Sequence, residues 1–354
     1  MTEPDYQARA AAAARALQRW YVRQTGEWRT TGWWNAANAL TAVIGYTRHT
    51  GDRSHARVVE TTFQGAGRRR PGFVNTFFDD NGWWGLAWVA AYDLTGDDRY
   101  LAAARAIFAR NLGGWDGVCG GGLWWNTERT YKNAITNELF ITLAAQLHQR
   151  TPGDAEYLPW ALRAWEWLAG RALIGPGGLV NDGLSADCGN NGGTAWTYNQ
   201  GVILGGLAAL HDITGDGKYL RHGEFIADAA LGALTSAGGI LTEPCEPAAR
   251  PPRAGPGRPA RAGCDGDQTQ FKGIFARYLH QFYLRGGKPA YREFLLANAD
   301  SVWDHARNPD DQFGLSWGGP FDRADASRQS SALEVLTAAA ALSRGPHPRP
   351  SPGA

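Results

Sequence analysis

No apolar run in this chain is long enough to cross a bilayer, and no basic stripe appears: the net charge is +1 over 354 residues. No membrane partner is expected, and a nucleic-acid or polyanion partner is disfavoured. The only basic cluster, Arg68-Arg69-Arg70, reads as part of a solvated loop. HExxH, CxxC, P-loop and dinucleotide fingerprints are all missing. No zinc site or nucleotide cofactor is therefore expected. His148, His211 and His280 read as cations at the ends of helices, where the dipole favours them. The opening MTEPDYQARAAAAARALQRW interrupts its alanines with Arg9, Arg15 and Arg19 and lacks the apolar centre of a secretory signal. As written, the chain is expected to be soluble, cytoplasmic and without an export address.

Aromatic residues, in contrast, are plentiful. Sixteen tryptophans in one chain exceed the needs of a core, and an indole offers a flat apolar face with a hydrogen-bond handle, suited to sugar rings. Trp88, Trp160, Trp165 and Trp167 read as core.

A turn repeats along the sequence. YDLTGDDRYLAAA at Tyr92 matches HDITGDGKYLRHG at His211, with looser copies at Tyr46, His148 and Tyr283. Gly past one helix and Asp before the next is the chemistry of a tight helix–helix turn. Reading outward from these turns predicts helices over 5–24, 35–49, 54–64, 80–94, 98–111, 133–149, 155–171, 195–213, 217–235, 268–285, 289–306 and 325–343, with no competing strand series. The helix before each short turn is apolar nearly all round, as in WWGLAWVAAYDL. The one after it is amphipathic, with Lys218, Arg221, Glu224 and Asp228 on one wet face. Apolar helices are buried and amphipathic ones lie outside. The expected fold is all-α: an (α/α)6 toroid of six inner and six outer helices, one domain over 1–344 with a disordered Pro-rich tail over 345–354.

The links from outer to inner helices are long, rich in Trp, Asp, Asn and Gly, and by alternation all emerge on one rim. Long loops in a compact domain are usually functional, and this rim reads as a carbohydrate-binding cleft. The Pro-rich stretch EPAARPPRAGPGRPARAG reads as a flexible lid edge or decoration. Cys119, Cys188, Cys245 and Cys264 all lie in these links; Cys245–Cys264 and Cys119–Cys188 are candidate disulfides, and such bridges belong to oxidising compartments. That pairing points toward secretion, against the missing signal segment.

Within the rim, Phe77-Phe78-Asp79-Asp80-Asn81-Gly82-Trp83-Trp84 sets two acids among aromatics at the start of an inner helix. Helix capping needs one acid, and here there are two. Glycoside hydrolysis uses a carboxylate pair, one to attack or stabilise the anomeric carbon and one to protonate the leaving oxygen. The positive helix end favours an ionised Asp, and a second carboxylate beside it holds its proton longer. Which acid takes which role stays open at this point.

FFDDNGWWGLAWVAAYDLTGDDRYL, CGGGLWWNTERTYKNAITNELFITLAAQL, TAWTYNQGVILGGLAAL, LTEPCE and DQTQFKGIFARYL, in that order, resemble glycoside hydrolase family 76, the endo-α-1,6-mannanases. The resemblance implies an (α/α)6 fold, retaining hydrolysis of α-1,6-mannosidic bonds, and no metal or cofactor. It assigns Asp79 as nucleophile and Asp80 as acid/base; the family's usual Tyr before the pair is Phe78 here. Trp83, Trp124 and Trp125 are candidates to stack on mannose, and Asn75, Asn133, Asn137, Tyr198, Asn199 and Gln200 to bind its hydroxyls. Asn133 and Asn199 read equally well as helix caps. The implied partner is an α-mannan polysaccharide or oligosaccharide, bound by a monomer. Alternatives are an exo-acting or inverting α-glycosidase, the latter with a distant acid such as Asp182, or a glycan-binding protein without turnover.

Overall fold

The computed structural model describes residues 4–246 and 263–344. The Pro-rich stretch over 247–262 and the tail over 345–354 lie outside the described residues. Among the described residues, twelve α-helices follow one another: α1 Tyr6–Leu17, α2 Trp33–Thr50, α3 Arg57–Arg69, α4 Phe78–Thr95, α5 Asp98–Leu112, α6 Ala134–Gln149, α7 Tyr157–Gly170, α8 Thr197–Thr214, α9 Lys218–Ala233, α10 Phe271–Tyr283, α11 Pro289–His305 and α12 Ala326–Leu342.

The even-numbered helices form a closed ring, each packed on the next and α12 returning to α2, with α1, α3, α5, α7, α9 and α11 outside it. This is the expected (α/α)6 toroid. The inner helices pack closely where a side chain is absent: a Cβ on Gly273 of α10 would lie 2.4 Å from Ser331 Cα of α12.

The repeated turn has one mechanism in three of its copies. Gly51, Gly96 and Gly215 sit at φ of 79°, 73° and 68°, and each donates its N–H to the carbonyl four residues back. The preceding Thr50, Thr95 and Thr214 hydroxyls donate to Tyr46, Ala91 and Leu210 carbonyls and accept from the N–H groups of Asp52, Asp97 and Asp216. Asp97 then caps α5 through the Arg99 N–H at 3.0 Å. Thr-Gly-Asp is therefore a complete helix–turn–helix instruction.

Two predicted boundaries move by five residues or more. The first helix was expected to reach 24 but ends at Leu17, where a 3-10 turn over Gln18–Trp20 leads into a two-residue hairpin, Tyr21–Val22 with Glu27–Trp28. The third helix continues to Arg69 rather than stopping near 64, because Gly65 is a contact and not a break: a Cβ there would meet Thr25 and Gly26 backbone at 2.6 Å. Trp88, Trp165 and Trp167 are buried as expected, whereas Trp160 is only partly covered. His280 is not a cation at a helix end. Burial first, with His49 and Arg285 nearby, lowers its pKa to about 3 and leaves it neutral.

Candidate active site

Since every inner helix follows a long link, all six start on the rim, and their first turns, with their positive ends, lie on that one face. Trp33 and Trp34 come from α2, Asp79, Asp80 and Trp83 from α4, Glu138 from α6, Tyr198 and Asn199 from α8, and Phe271 from α10.

The aspartate pair is not a cap. Phe77 occupies the N-cap of α4 and makes no side-chain capping bond. Instead Asp79 Oδ2 accepts the Trp125 Nε1–H at 2.9 Å, and Asp80 Oδ2 accepts the Asn75 Nδ2–H at 2.6 Å. Asn75 is itself held, its N–H donating to Asn81 Oδ1 and its Oδ1 accepting from the Phe77 N–H. Asp79 Oδ1 is shielded from solvent and has no hydrogen-bond partner.

Burial, then repulsion from Asp80, holds the Asp79 carboxyl well above the usual carboxylate range, against the Trp125 hydrogen bond. Burial raises Asp80 to about 6; the Asn75 bond and Arg70 oppose that rise, and Asp267 adds to it. The positive helix end, expected to favour an ionised Asp, is opposed by burial, which raises both carboxyls.

Aromatic rings form a stacked wall: Trp34 on Trp83 at 5.6 Å, Trp83 on Tyr198 at 6.4 Å and Tyr198 on Phe271 at 3.7 Å. Trp83 is only 3% exposed. It braces this wall and is not offered to a ligand, which corrects its expected role. Trp34, a residue the sequence reading missed, and Tyr198 are its partly exposed members, and the Trp34 Nε1–H donates to Asp267 Oδ1 at 2.9 Å. Trp125 remains at the rim, packed on Phe77 at 4.8 Å. Trp124 is tied down by Asp116, its Nε1–H donating at 2.7 Å, with the Lys132 ammonium over its ring.

The polar candidates divide. Asn133 caps α6 through the Thr136 N–H. Asn137 binds the Leu123 N–H and carbonyl and the Asn133 carbonyl; Gln200 binds the Val180 N–H and carbonyl and the Trp196 carbonyl. All three are buried, so they staple rim links to inner helices and their bonding is spent. Asn199 differs: it is no cap, being buried inside α8 with no well-formed hydrogen bond, its amide close enough to Asp182 to favour that carboxylate. Beside it stands Asp182, which accepts the Tyr131 hydroxyl at 2.7 Å and is raised by burial.

Below them Glu138 is fully buried with neither oxygen hydrogen-bonded, and its carboxyl is pushed well above the usual range by burial and Asp182. Tyr198 lies in the field of Asp182, Asp79, Glu138 and Asp267 together. The centre of the ring is consequently an acidic bowl, with unpartnered polar atoms on Asp79 and Glu138. Such atoms are costly in a protein interior unless something later satisfies them.

Behind this floor the LTEPCE segment is locked by buried pairs: Thr197 donates to Glu243, and Lys272 Nζ lies 2.5 Å from Glu246 Oε1. Both expected disulfides are formed, Cys119–Cys188 and Cys245–Cys264. Among the described residues, no group of three or more His, Cys, Asp or Glu side chains could hold a metal ion, and no helix is long and apolar enough to cross a membrane.

Comparison with known proteins adds a family and several relatives. The glycosyl hydrolase family 76 model matches residues 5–349. The mannan endo-1,6-alpha-mannosidase of Candida albicans is 29% identical over 73% of this chain and 60% of its own length. Its Saccharomyces cerevisiae counterpart is 34% identical over 57% of this chain and 45% of its own length. The chain thus spans roughly half of these curated fungal relatives. Among solved structures, an inactive variant of the α-1,6-mannanase of Salegentibacter sp. HEL1_6, with two consecutive aspartates changed to asparagine and α-1,6-mannotriose bound, superposes with a TM-score of 0.82. It is 27% identical, over 96% of this chain and all of that one.

Proposed function

The chain belongs to glycosyl hydrolase family 76, and from that premise we propose that it is an endo-acting, retaining α-1,6-mannanase whose reacting groups are Asp79 and Asp80. One observation carries the reading. Two neighbouring carboxyls sit on an aromatic rim, both shifted upward by burial and each held through one oxygen, Asp79 by Trp125 and Asp80 by Asn75.

Asp79 acts as nucleophile. The Trp125 N–H fixes the Asp79 carboxyl through Oδ2, and this carboxylate attacks the anomeric carbon. Asp80, raised by burial to about 6, keeps its proton to higher pH than an ordinary aspartate and delivers it to the leaving glycosidic oxygen. With the proton on Asp80, the repulsion that adds to burial in raising Asp79 is gone, and Asp79 can attack as the anion. In the second half Asp80 takes the proton of the attacking water and the mannosyl ester on Asp79 is released. Trp34, Trp125 and Tyr198 supply ring faces for the sugar, and Asn75 keeps Asp80 in place.

The sequence contains three consecutive-aspartate pairs. Asp97-Asp98 lies at the start of the outer helix α5, and Asp310-Asp311 in the link before α12, paired with Arg19 and Arg307. Asp79-Asp80 alone of the three opens an inner helix among aromatic rings, and we equate it with the consecutive aspartates replaced in the inactive Salegentibacter variant. The two rim disulfides fit an oxidising compartment, where we place the protein.

Digestion of linear α-1,6-mannan by the wild type, Asp79→Asn and Asp80→Asn tests the reading. Loss of roughly 10²–10⁴-fold in each variant is expected, with Asp80→Asn keeping much of its rate on an aryl mannoside whose leaving group needs no proton. Equal, background-level turnover by all three proteins would leave a glycan-binding protein instead.

A further inference from the structure

Outboard of the cleft lies a concavity with about 420 Å³ of free space, lined by Trp115, Gly120, Arg163, Glu166, Trp167 and Arg171. That size falls within the range of small-ligand sites, about 300–1,000 Å³. It opens on the same face as the cleft. Trp115 and Gly120 belong to the 113–133 link, whose later residues bring Trp124 and Trp125 to the rim. Trp167 to Arg171 end the outer helix α7, and the outer helices run back to the rim.

The wall of this concavity is held rigid. The Cys119–Cys188 bond ties the link to the 171–196 link, and Trp167 Nε1–H donates to the Cys119 carbonyl at 3.1 Å. Gly120, Gly121 and Gly122 all have positive φ, and their backbone presses onto the indoles. A Cβ on Gly121 would come 2.8 Å from the Trp115 ring, and one on Gly122 2.3 Å from the Trp167 ring. Lys132 Nζ braces the same link by donating to the Gly121 and Val118 carbonyls. Trp115 is thereby fixed in place, with Arg163 over its ring at 5.1 Å.

The Arg163 guanidinium also lies over the Trp160 ring at 4.9 Å. Among the described residues, Arg163, Glu166 and Arg171 make no ion pair or side-chain hydrogen bond, although Arg163 and Glu166 stand one helical turn apart on α7. Guanidinium forks donate to adjacent hydroxyl oxygens, a carboxylate accepts hydroxyl protons, and an indole covers the apolar face of a pyranose. An anionic ligand would meet Glu166.

We propose that this concavity is a second, non-catalytic carbohydrate site that grips a neutral stretch of the same polysaccharide whose backbone enters the cleft. The identity of that glycan rests on the α-1,6-mannanase reading; the site itself does not. Holding a polymer at two points on one face raises its local concentration at the cleft, so the benefit falls on long substrates.

The test uses the full chain with Arg163→Ala, Glu166→Ala and Arg171→Ala combined. These are surface head groups, so folding is expected to survive, and an unchanged melting temperature checks it. Retention in gels containing linear α-1,6-mannan or other neutral polysaccharides is measured on the Asp79→Asn/Asp80→Asn background. Rates on mannan and on α-1,6-mannotetraose are measured on the active one. Retention is expected to fall about tenfold and kcat/KM on polymer several-fold, with the tetrasaccharide changed by less than twofold. Undiminished retention on every polysaccharide, or an equal loss on polymer and tetrasaccharide, overturns the site. Retention lost on a different glycan, with mannan neither bound nor cut, upholds the site and refutes the mannanase reading.

Discussion

Asp80→Asn should make the protein more stable, and only above a certain pH. Asp80 is raised from 3.8 to about 6, chiefly by burial. A shift of about 2 units at roughly 1.4 kcal/mol per unit favours the protonated form by about 3 kcal/mol. Because the folded pKa lies above the unfolded one, the folded state binds more protons between about pH 4 and 6. Stability therefore falls as pH rises through that window, and the whole cost is present above it. Asparagine cannot ionise, and its Oδ1 still accepts the Asn75 amide. Allowing for partial exposure, the variant should match the wild type at pH 4 and exceed it by about 2 kcal/mol at pH 7.5. Equilibrium urea unfolding at pH 4, 5, 6 and 7.5, with equal m-values, reads this directly. An offset that is constant across pH, or a wild type more stable at pH 7.5, would refute the idea that Asp80 is held in a site unfavourable to its charge. The positive result would mean that stability is given up for chemistry at this position.

Two further outcomes follow from the same geometry. Trp125→Phe removes the one named donor to Asp79, so the acidic limb of the kcat/KM profile should move to higher pH by up to about one unit, a hydrogen bond being worth about 1 kcal/mol; an unmoved limb contradicts this. Lys272→Met strips the buried Glu246 of its partner and should cost about 3–5 kcal/mol in urea unfolding, with most of it recovered by adding Glu246→Gln. A loss below about 1 kcal/mol would show the pair to be incidental.

The helices were legible because their signals are local. Thr-Gly-Asp specifies its turn within a few residues, and the inner helices α4 and α8 were placed within two residues of their observed ends. The aspartate pair was legible because acids between Phe and Trp are out of place in any bland reading. What failed was non-local. Gly65 looked like a helix stop until the Thr25–Gly26 backbone packed on it. Asn137 and Gln200 resembled sugar ligands, yet long links carry backbone groups that must be satisfied, and those amides satisfy them. Trp34 meets Asp267 from 233 residues away only because the ring closes, and no spacing announces such a contact. The charge argument was incomplete for a related reason. A helix dipole can be read from sequence, but the burial that opposes it needs the whole rim.

The most direct test of the central claim is proton NMR of the sugar anomer first released from α-1,6-mannotetraose. If Asp79 forms a covalent mannosyl ester that water then displaces with Asp80 as base, the α-anomer appears first and mutarotates later. The β-anomer appearing first would mean a single inverting displacement, and would remove Asp79 from the role of nucleophile.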